Sequence, residues 1–478
     1  MGALERFKPG KPFTAILLNV MLWNSAINAS VQAMQHHAPL APPTSSQQAT
    51  TATTAPSQQK SGVAGSPIKP SHWQDRQLRA TWIATVQNMD WPSKASLALK
   101  ERAERIELQQ TELRTILDKV VALGMNTVVF QVKPCADALY HSALLPWSPY
   151  LTGSLGEDPG FDPLAYAIEE AHARGLQLHA WLNPYRVSMN LEQESIQALL
   201  DCPRSLYNQH PEWIRTAFHR YVLDPGLPEV RAWIEQIIEE IVNRYQVDGI
   251  QFDDYFYYES HDSTLADDQT FSRYGAGFAH KADWRRHNTY TLIKAVSKKI
   301  KAIKPQIQFG ISPSGVWRNK KDDPNGSNTN ALAHYDTHYA DTRQWVQEAL
   351  IDYIVPQIYW AHASELAPYE VVATWWADLV KYTKTQLYIG VGLYRVGQVF
   401  HYPGAGKSIG DPAWSIADGV PEIKRQLDFN EKTVGIQGSV LFSSLNLLDP
   451  QKQPVVDHIQ SRWQGTATDS VLSDKIVE

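Results

Sequence analysis

From residue 78 onward, short runs in which apolar and polar positions alternate are separated by longer stretches in which apolar residues return every three or four positions. Alternation with a period of two marks strands with one buried face, and the 3.6-residue recurrence marks amphipathic helices. The pattern predicts strands at 79–86, 127–133, 177–183, 249–254, 308–313, 353–359, 387–394 and 438–446. It predicts helices near 103–123, 162–174, 227–245, 284–303, 342–349, 368–382, 420–430 and 452–463. Strands that each precede a helix, repeated in this way, give an α/β chain folded as a (β/α)8 TIM-like barrel. Leu123-Gly124 and Arg174-Gly175 read as helix stops placed just before strands.

Parity within the strands sorts their side chains. In a barrel strand one face meets the helices and the other points inward, reaching the site at the C-terminal end. Val128, Phe130 and Val132 send Gln131 and Lys133 inward; Leu178, Ala180 and Leu182 send His179, Trp181 and Asn183 inward. Ile250 and Phe252 do the same for Gln251 and Asp253, and Phe309 and Ile311 for Ser312. Ile354, Pro356 and Ile358 leave Gln357 and Tyr359 inward, and Leu441 and Leu445 leave Ser444 and Asn446. Lys133, Asn183, Asp253, Ser312, Tyr359 and Asn446 are thus expected to converge on one end of the barrel, a polar mouth. Tyr394 closes the seventh segment at the same end.

The fourth strand is the most informative. Residues 248–258 read Asp-Gly-Ile-Gln-Phe-Asp-Asp-Tyr-Phe-Tyr-Tyr. Carboxylates at a strand tip followed by aromatics suit sugar cleavage: an acid, base or nucleophile beside flat surfaces for pyranose rings. A solvated loop or a helix cap is the plainer reading. Asp253 has the inward parity. Asp254 has the opposite parity unless the strand has already ended, and is expected to orient Asp253, to raise its pKa by like-charge proximity, or to cap the next turn.

Composition narrows the function classes. With 44 Lys+Arg against 50 Asp+Glu the net charge is −6, which speaks against a nucleic-acid footprint. Trp is over-represented at 16; core packing covers most of them, and sugar stacking is the use expected of any exposed surplus. Trp82, Trp181, Trp317 and Trp360 lie on or just after strands, where both wall packing and stacking are open to them. Cys135 and Cys202 are too few for a disulfide framework or a zinc site; one bridge between them stays open.

The first 33 residues resemble an export signal, with Arg6, Lys8 and Lys11 ahead of a mostly apolar run from Phe13 to Trp23 and small residues at Val31-Gln32-Ala33. An uncleaved membrane anchor is the alternative. Residues 34–72, rich in Pro, Ser, Thr and Gln, read as a disordered linker, 73–465 as the barrel, and 466–478 as a tail. The expected location is the periplasm or cell envelope, or the medium.

Two loops, from Pro134 to Pro163 and from Pro184 to Leu227, are long enough to be functional and would wall a cleft. Arg186 in the second is placed to bind a hydroxyl, an acetamido carbonyl or a carboxylate, or else to pair with a nearby Asp. His334 and His338 have helical metal spacing but no following Glu, and no metal is assigned to them. Asp322, Asp323, Asp341, Glu259 and Glu365 are candidates for a second carboxylate, Asp341 doubling as a helix cap.

The segments FQVKPCADALYHSALLPWSPYLTG, DPLAYAIEEAHARGLQLHAWLNPYRVS, DGIQFDDYFYY, GISPSGVWRN and YIVPQIYWA resemble the glycosyl-hydrolase-like 10 family, from about Gln77 to about Leu448. The resemblance implies a TIM-like barrel and a bacterial envelope glycosidase acting on amino-sugar polymers, its best-studied type digesting denuded peptidoglycan strands. The family's Asp-Gly-x-x-x-Asp-Asp-Tyr motif falls on Asp248, Gly249, Asp253, Asp254 and Tyr255. Chitinase-type barrels carry a Glu where this chain has Tyr255, and the lipid-modified cysteine of some relatives is absent.

The expected activity is therefore hydrolysis of glycosidic bonds in a glucosamine-containing polymer, with Asp253 and Asp254 carrying the chemistry. Gln131, Lys133, Trp181, Asn183, Arg186, Gln251, Tyr255, Ser312, Trp317, Gln357, Tyr359, Trp360 and Tyr394 would bind the sugar. No cofactor is implied. Retaining, inverting and substrate-assisted routes all stay open, and a non-catalytic glycan-binding barrel of the envelope is the alternative.

Overall fold

A computed structural model describes residues 77–257, 264–404 and 407–464. The expected export segment and linker, Glu259 and the 466–478 tail lie outside the described residues.

The strands in chain order are β1 (Leu78–Ile83), β2 (Thr127–Lys133), β3 (Gln177–Leu182), β4 (Ile214–Ala217), β5 (Arg220–Leu223), β6 (Gly249–Phe252), β7 (Gln308–Ile311), β8 (Tyr353–Ile354), β9 (Gln357–Ile358), β10 (Gln386–Val391), β11 (Phe400–Gly404), β12 (Lys407–Asp411) and β13 (Ile436–Leu441). Nine of them form one parallel sheet, in the order β13-β1-β2-β3-β6-β7-β8-β10-β9. β13 pairs with both β1 and β10, so the sheet closes on itself. β8 and β9 are halves of one stave, divided at Pro356, which has no N–H for the ladder. The barrel therefore has the eight staves that the alternation predicts. Helices follow them at Arg102–Ala122, Pro163–Ala173, Pro228–Arg244, Lys281–Ile303, Thr342–Gln347, Tyr369–Val380, Val420–Lys432 and Gln453–Trp463. Gly124 and Gly175 end the first two with φ of 72° and 73°, in the left-handed region that favours glycine.

Strand parity divides the interior into two cores. Val128, Phe130, Val132, Leu178, Ala180, Leu182, Ile250, Phe252, Phe309, Ile311, Ile354 and Ile358 pack outward against the helices. Trp82, Val129, Trp181, Tyr353, Tyr359 and Tyr388 fill the lumen. The large rings fit because two facing positions lack a side chain. A Cβ on Gly310 would stand 2.1 Å from the Tyr353 ring, and one on Gly249 would stand 2.6 Å from the His179 imidazole. Tyr353 Oη and His179 Nδ1 meet at 2.8 Å, and burial lowers the His179 pKa to about 4, which keeps the ring neutral.

The two long loops rise from the C-terminal end of the barrel, as their place after β2 and β3 requires. The second carries the antiparallel β4–β5 hairpin and short helices at Gln193–Asp201 and Leu206–Gln209. Two expectations change here. Cys135 and Cys202 are both buried free thiols. The last strand ends at Leu441 rather than reaching 446. Ser443 begins a short helix over Ser444–Leu448, which carries Asn446 off the strand tip. There Asn446 Oδ1 accepts a 2.6 Å hydrogen bond from the buried Lys452 ammonium.

Candidate active site

At the C-terminal end three adjacent staves pass one hydrogen-bond chain from side to side. Gln131, from β2, accepts the backbone N–H groups of Thr85 and Val86, each at 2.9 Å. Its Nε2 donates to Asn183 Oδ1 at 2.8 Å, and Asn183 Nδ2 donates to Asp253 Oδ2 at 2.6 Å. Gln131 and Asn183 are wholly buried, so each amide orientation is set by what it touches. Asp253 Oδ1 accepts the Asp254 backbone N–H at 2.8 Å and, more weakly, Gln357 Nε2 at 3.5 Å. Gln357 also donates to the Ser312 carbonyl at 2.9 Å, which ties the sixth stave to the fifth beneath the carboxylate.

The strand stops at Phe252, so the alternation that would separate Asp253 from Asp254 no longer applies. Both carboxyls are nearly buried, and a hydrogen bond between the two residues runs from the Asp254 backbone N–H to Asp253 Oδ1. Burial, then the charge on Asp253, then hydrogen bonding with the Asp253 side chain push the Asp254 carboxyl well above the usual carboxylate range; its own backbone N–H and Arg186 offset this in part. Asp254 Oδ1 has no hydrogen-bond partner among the described residues.

Aromatic rings stand around the pair. Tyr359 packs edge-on to Tyr394 at 5.7 Å and lies 6.0 Å from Phe442. Burial, then the charges of Tyr394, Asp253 and Asp254 hold the Tyr359 hydroxyl well above its usual pKa. Trp181 Nε1 and Tyr394 Oη are buried polar atoms with no partner among the described residues. Tyr255 meets His338 edge-on at 5.6 Å. Gln251 donates to Ser312 Oγ at 3.1 Å and accepts from Tyr353 Oη at 3.4 Å, which places both polar groups one layer below the mouth.

Other candidates are engaged elsewhere. Lys133 is buried, with its ammonium on the carbonyls of Asn183 (2.8 Å) and Pro184 (3.3 Å); burial lowers its pKa to about 8, opposed by Asp137 and Cys135. Arg186 donates to the Pro134 carbonyl at 2.7 Å. Both clamp the roots of the two long loops. Trp317 is buried, stacks on Trp375 at 5.6 Å and donates to Asp341 at 3.0 Å, while Trp360 is half-buried. Asp341 caps the Thr342–Gln347 helix through the Gln344 N–H. Asp323 pairs with Arg318, and Asp322 accepts from Asn319. Glu365 is exposed. The His334 and His338 rings lie 5.0 Å apart, but among the described residues no three metal-binding side chains gather.

One carboxylate at the mouth was not foreseen. Asp90, in the loop after β1, accepts from the Ala84 N–H (2.7 Å), Ser443 Oγ (2.7 Å) and the Leu445 N–H (3.3 Å). Burial pushes its pKa up to about 6 against those hydrogen bonds. It fastens the loop after the first stave to the turn after the last, a contact over more than 350 residues that leaves no local pattern.

The geometry is that of a barrel whose fourth-stave tip presents a buried carboxyl raised above the usual carboxylate range beside one held by amide donors. The family model described as glycosyl hydrolase-like 10 matches residues 77–403. Glycosyl hydrolase DigH of Escherichia coli (strain K12) is 50% identical over 390 residues, which cover 81% of this chain and 87% of that protein. Glycosyl hydrolase YngK of Bacillus subtilis (strain 168) is 44% identical over 392 residues, covering 81% of this chain and 72% of that one.

Proposed function

The chain belongs to the glycosyl hydrolase-like 10 family, and from that premise we propose that it hydrolyses glycosidic bonds in the glycan strands of bacterial peptidoglycan, outside the cytoplasm. The observation that carries this reading is the buried Asp253–Asp254 pair at the fourth-stave tip, Asp253 held by the Asn183 amide and the Asp254 N–H, Asp254 pushed by burial well above the usual carboxylate range.

The same pair bears on the mechanism. Retaining and inverting routes with two carboxylates need them about 5–5.5 Å or about 6.5–9.5 Å apart, on either side of the scissile bond. Two consecutive residues at one strand tip stand on one side of a bound strand rather than astride its scissile bond. The substrate's own 2-acetamido oxygen then serves as nucleophile. Asp254 gives its proton to the glycosidic oxygen as the C1–O bond breaks, and the acetamido oxygen closes on C1. Asp253 accepts a hydrogen bond from the acetamido N–H and stabilises the cationic ring. Water then gives a proton to Asp254 and attacks C1, which reopens the ring with retained configuration. Trp181 Nε1 and Tyr394 Oη are donors available to sugar oxygens.

The walls favour a bare strand. Two long loops stand beside the mouth, and the buried Lys133 ammonium sits on backbone carbonyls rather than facing outward. A stem peptide on alternate sugars would meet those walls and bring charge to desolvate. The test compares strands stripped of stems with intact peptidoglycan, and N-acetylated with de-N-acetylated polymer, reading soluble fragments by mass. Stripped strands should be digested at least roughly tenfold faster, about 1.4 kcal/mol of discrimination. Removing the acetyl groups should abolish cleavage. Equal digestion of de-N-acetylated polymer would exclude the acetamido nucleophile.

A further inference from the structure

Outside the mouth, at the same end of the barrel, lies a pocket of about 470 Å³ that the chemistry above does not use. We propose that it is a second sugar-binding site, taking an N-acetylhexosamine unit of the strand whose bond is cut at Asp253 and Asp254; this rests on the glycosidase reading.

Three segments build the pocket: Leu144 from the loop after β2, His210 and Trp213 from the loop after β3, and Glu229, Trp233 and Gln236 from the first turns of the Pro228–Arg244 helix. All three rise at the C-terminal end of the barrel, where the carboxyl pair sits. The His210 imidazole stacks on the Trp213 indole, centroids 3.8 Å apart and planes within 5°. Glu212 holds that imidazole through Nδ1 at 3.0 Å, and Trp233 meets Trp213 edge-on at 6.2 Å. The aromatic surfaces are thus fixed before any ligand arrives, which lowers the ordering cost of binding. Glu229 and Gln236 are exposed side chains on the pocket wall, able to meet hydroxyl and acetamido groups. Indole surface beside amide and carboxylate, in a space within the roughly 300–1,000 Å³ range of small-ligand sites, suits an amphipathic ring better than a purely apolar or a purely ionic ligand. The pocket also backs onto the active-site frame. The Lys133 ammonium lies 5.9 Å from the Trp233 ring centroid and holds the Asn183 carbonyl, while the Asn183 amide holds Asp253.

The test uses two variants of the full chain. Trp213→Ala removes part of the platform. Ala232→Trp fills the pocket from an exposed helical position and leaves the core alone. Both should cleave a short chitooligosaccharide at the wild-type rate, which also reports an intact fold. Both should digest long stripped strands roughly tenfold more slowly, because the second contact raises the local concentration of the strand. In an Asp253→Asn background, calorimetric titration with N-acetylglucosamine tetramer should resolve two sites, and Ala232→Trp should remove one. Wild-type digestion of long strands by both variants, or a single calorimetric site unchanged by Ala232→Trp, overturns the proposal. A wild-type protein that cleaves neither substrate overturns the glycosidase reading instead, and the titration still decides whether the pocket binds sugar.

Discussion

The Asn183 amide reaches across from the third stave to Asp253 on the fourth at 2.6 Å, while its other end takes a hydrogen bond from Gln131 on the second. Because the amide donates at one end and accepts at the other, Gln131 fixes which way it faces, and its N–H points at the carboxylate. Replacing Asn183 with Ala should leave the buried Gln131 donor and one Asp253 oxygen unsatisfied, at about 1–3 kcal/mol each. The fall should appear in kcat by on the order of 10- to 100-fold, with KM nearly unchanged, since Asn183 is wholly buried and its amide holds the carboxylate. A loss confined to KM would assign Asn183 to substrate binding.

Asp253→Asn should stop hydrolysis, by on the order of 10² or more, while the thermal transition stays. The substitution preserves shape and keeps an Oδ1 acceptor for the Asp254 N–H. Turnover at the wild-type rate would remove Asp253 from the reaction.

Asp254 should cost the fold stability that Asn would restore. Its folded pKa is raised, so between the unfolded value of about 3.9 and the folded one the native state binds more protons than the unfolded state. Stability therefore falls as pH rises through that window. Asp254→Asn has no such proton to lose and should melt higher than wild type above about pH 4, with the gap widening toward the folded pKa, while losing activity. Parallel melting curves from pH 4 to 9 would contradict the raised pKa of the buried carboxyl.

Gly310→Ala should destabilise the barrel by about 1–3 kcal/mol, the usual cost of overpacking, because its Cβ would stand 2.1 Å from the Tyr353 ring. Tyr353→Ala in the same chain should recover much of that cost. Additive losses in the double variant would mean that the two positions do not share the lumen.

The sequence pattern carried the barrel well because each stave records its own two faces. Val128, Phe130 and Val132 against Val129 and Gln131 is a local statement, and the two cores obey it. The pattern failed where a strand stopped. Beyond Phe252 parity no longer governs Asp254, and beyond Leu441 a helix takes Asn446 away from the tip. It was silent on Asp90, whose partners Ser443 and Leu445 become neighbours only when the first and last staves meet. The rim pocket has the same origin, since Leu144, Trp213 and Trp233 come from three segments that no single window of sequence joins.

The rings that plug the lumen also bear on the order of events in a turnover. Trp82, Trp181, Tyr353, Tyr359 and Tyr388 close the barrel beneath the mouth. The polar thread through them passes by way of the Gln251 amide, which does not relay a proton as a hydroxyl or imidazole does. On the mechanism proposed above, water and protons would then reach Asp254 from the same opening that admits the glycan. The leaving strand must clear that opening before water can enter to complete the reaction and recharge the acid. Departure of the first product becomes a gate on the second half of the cycle, and a strand held at the rim sets how long that gate stays shut.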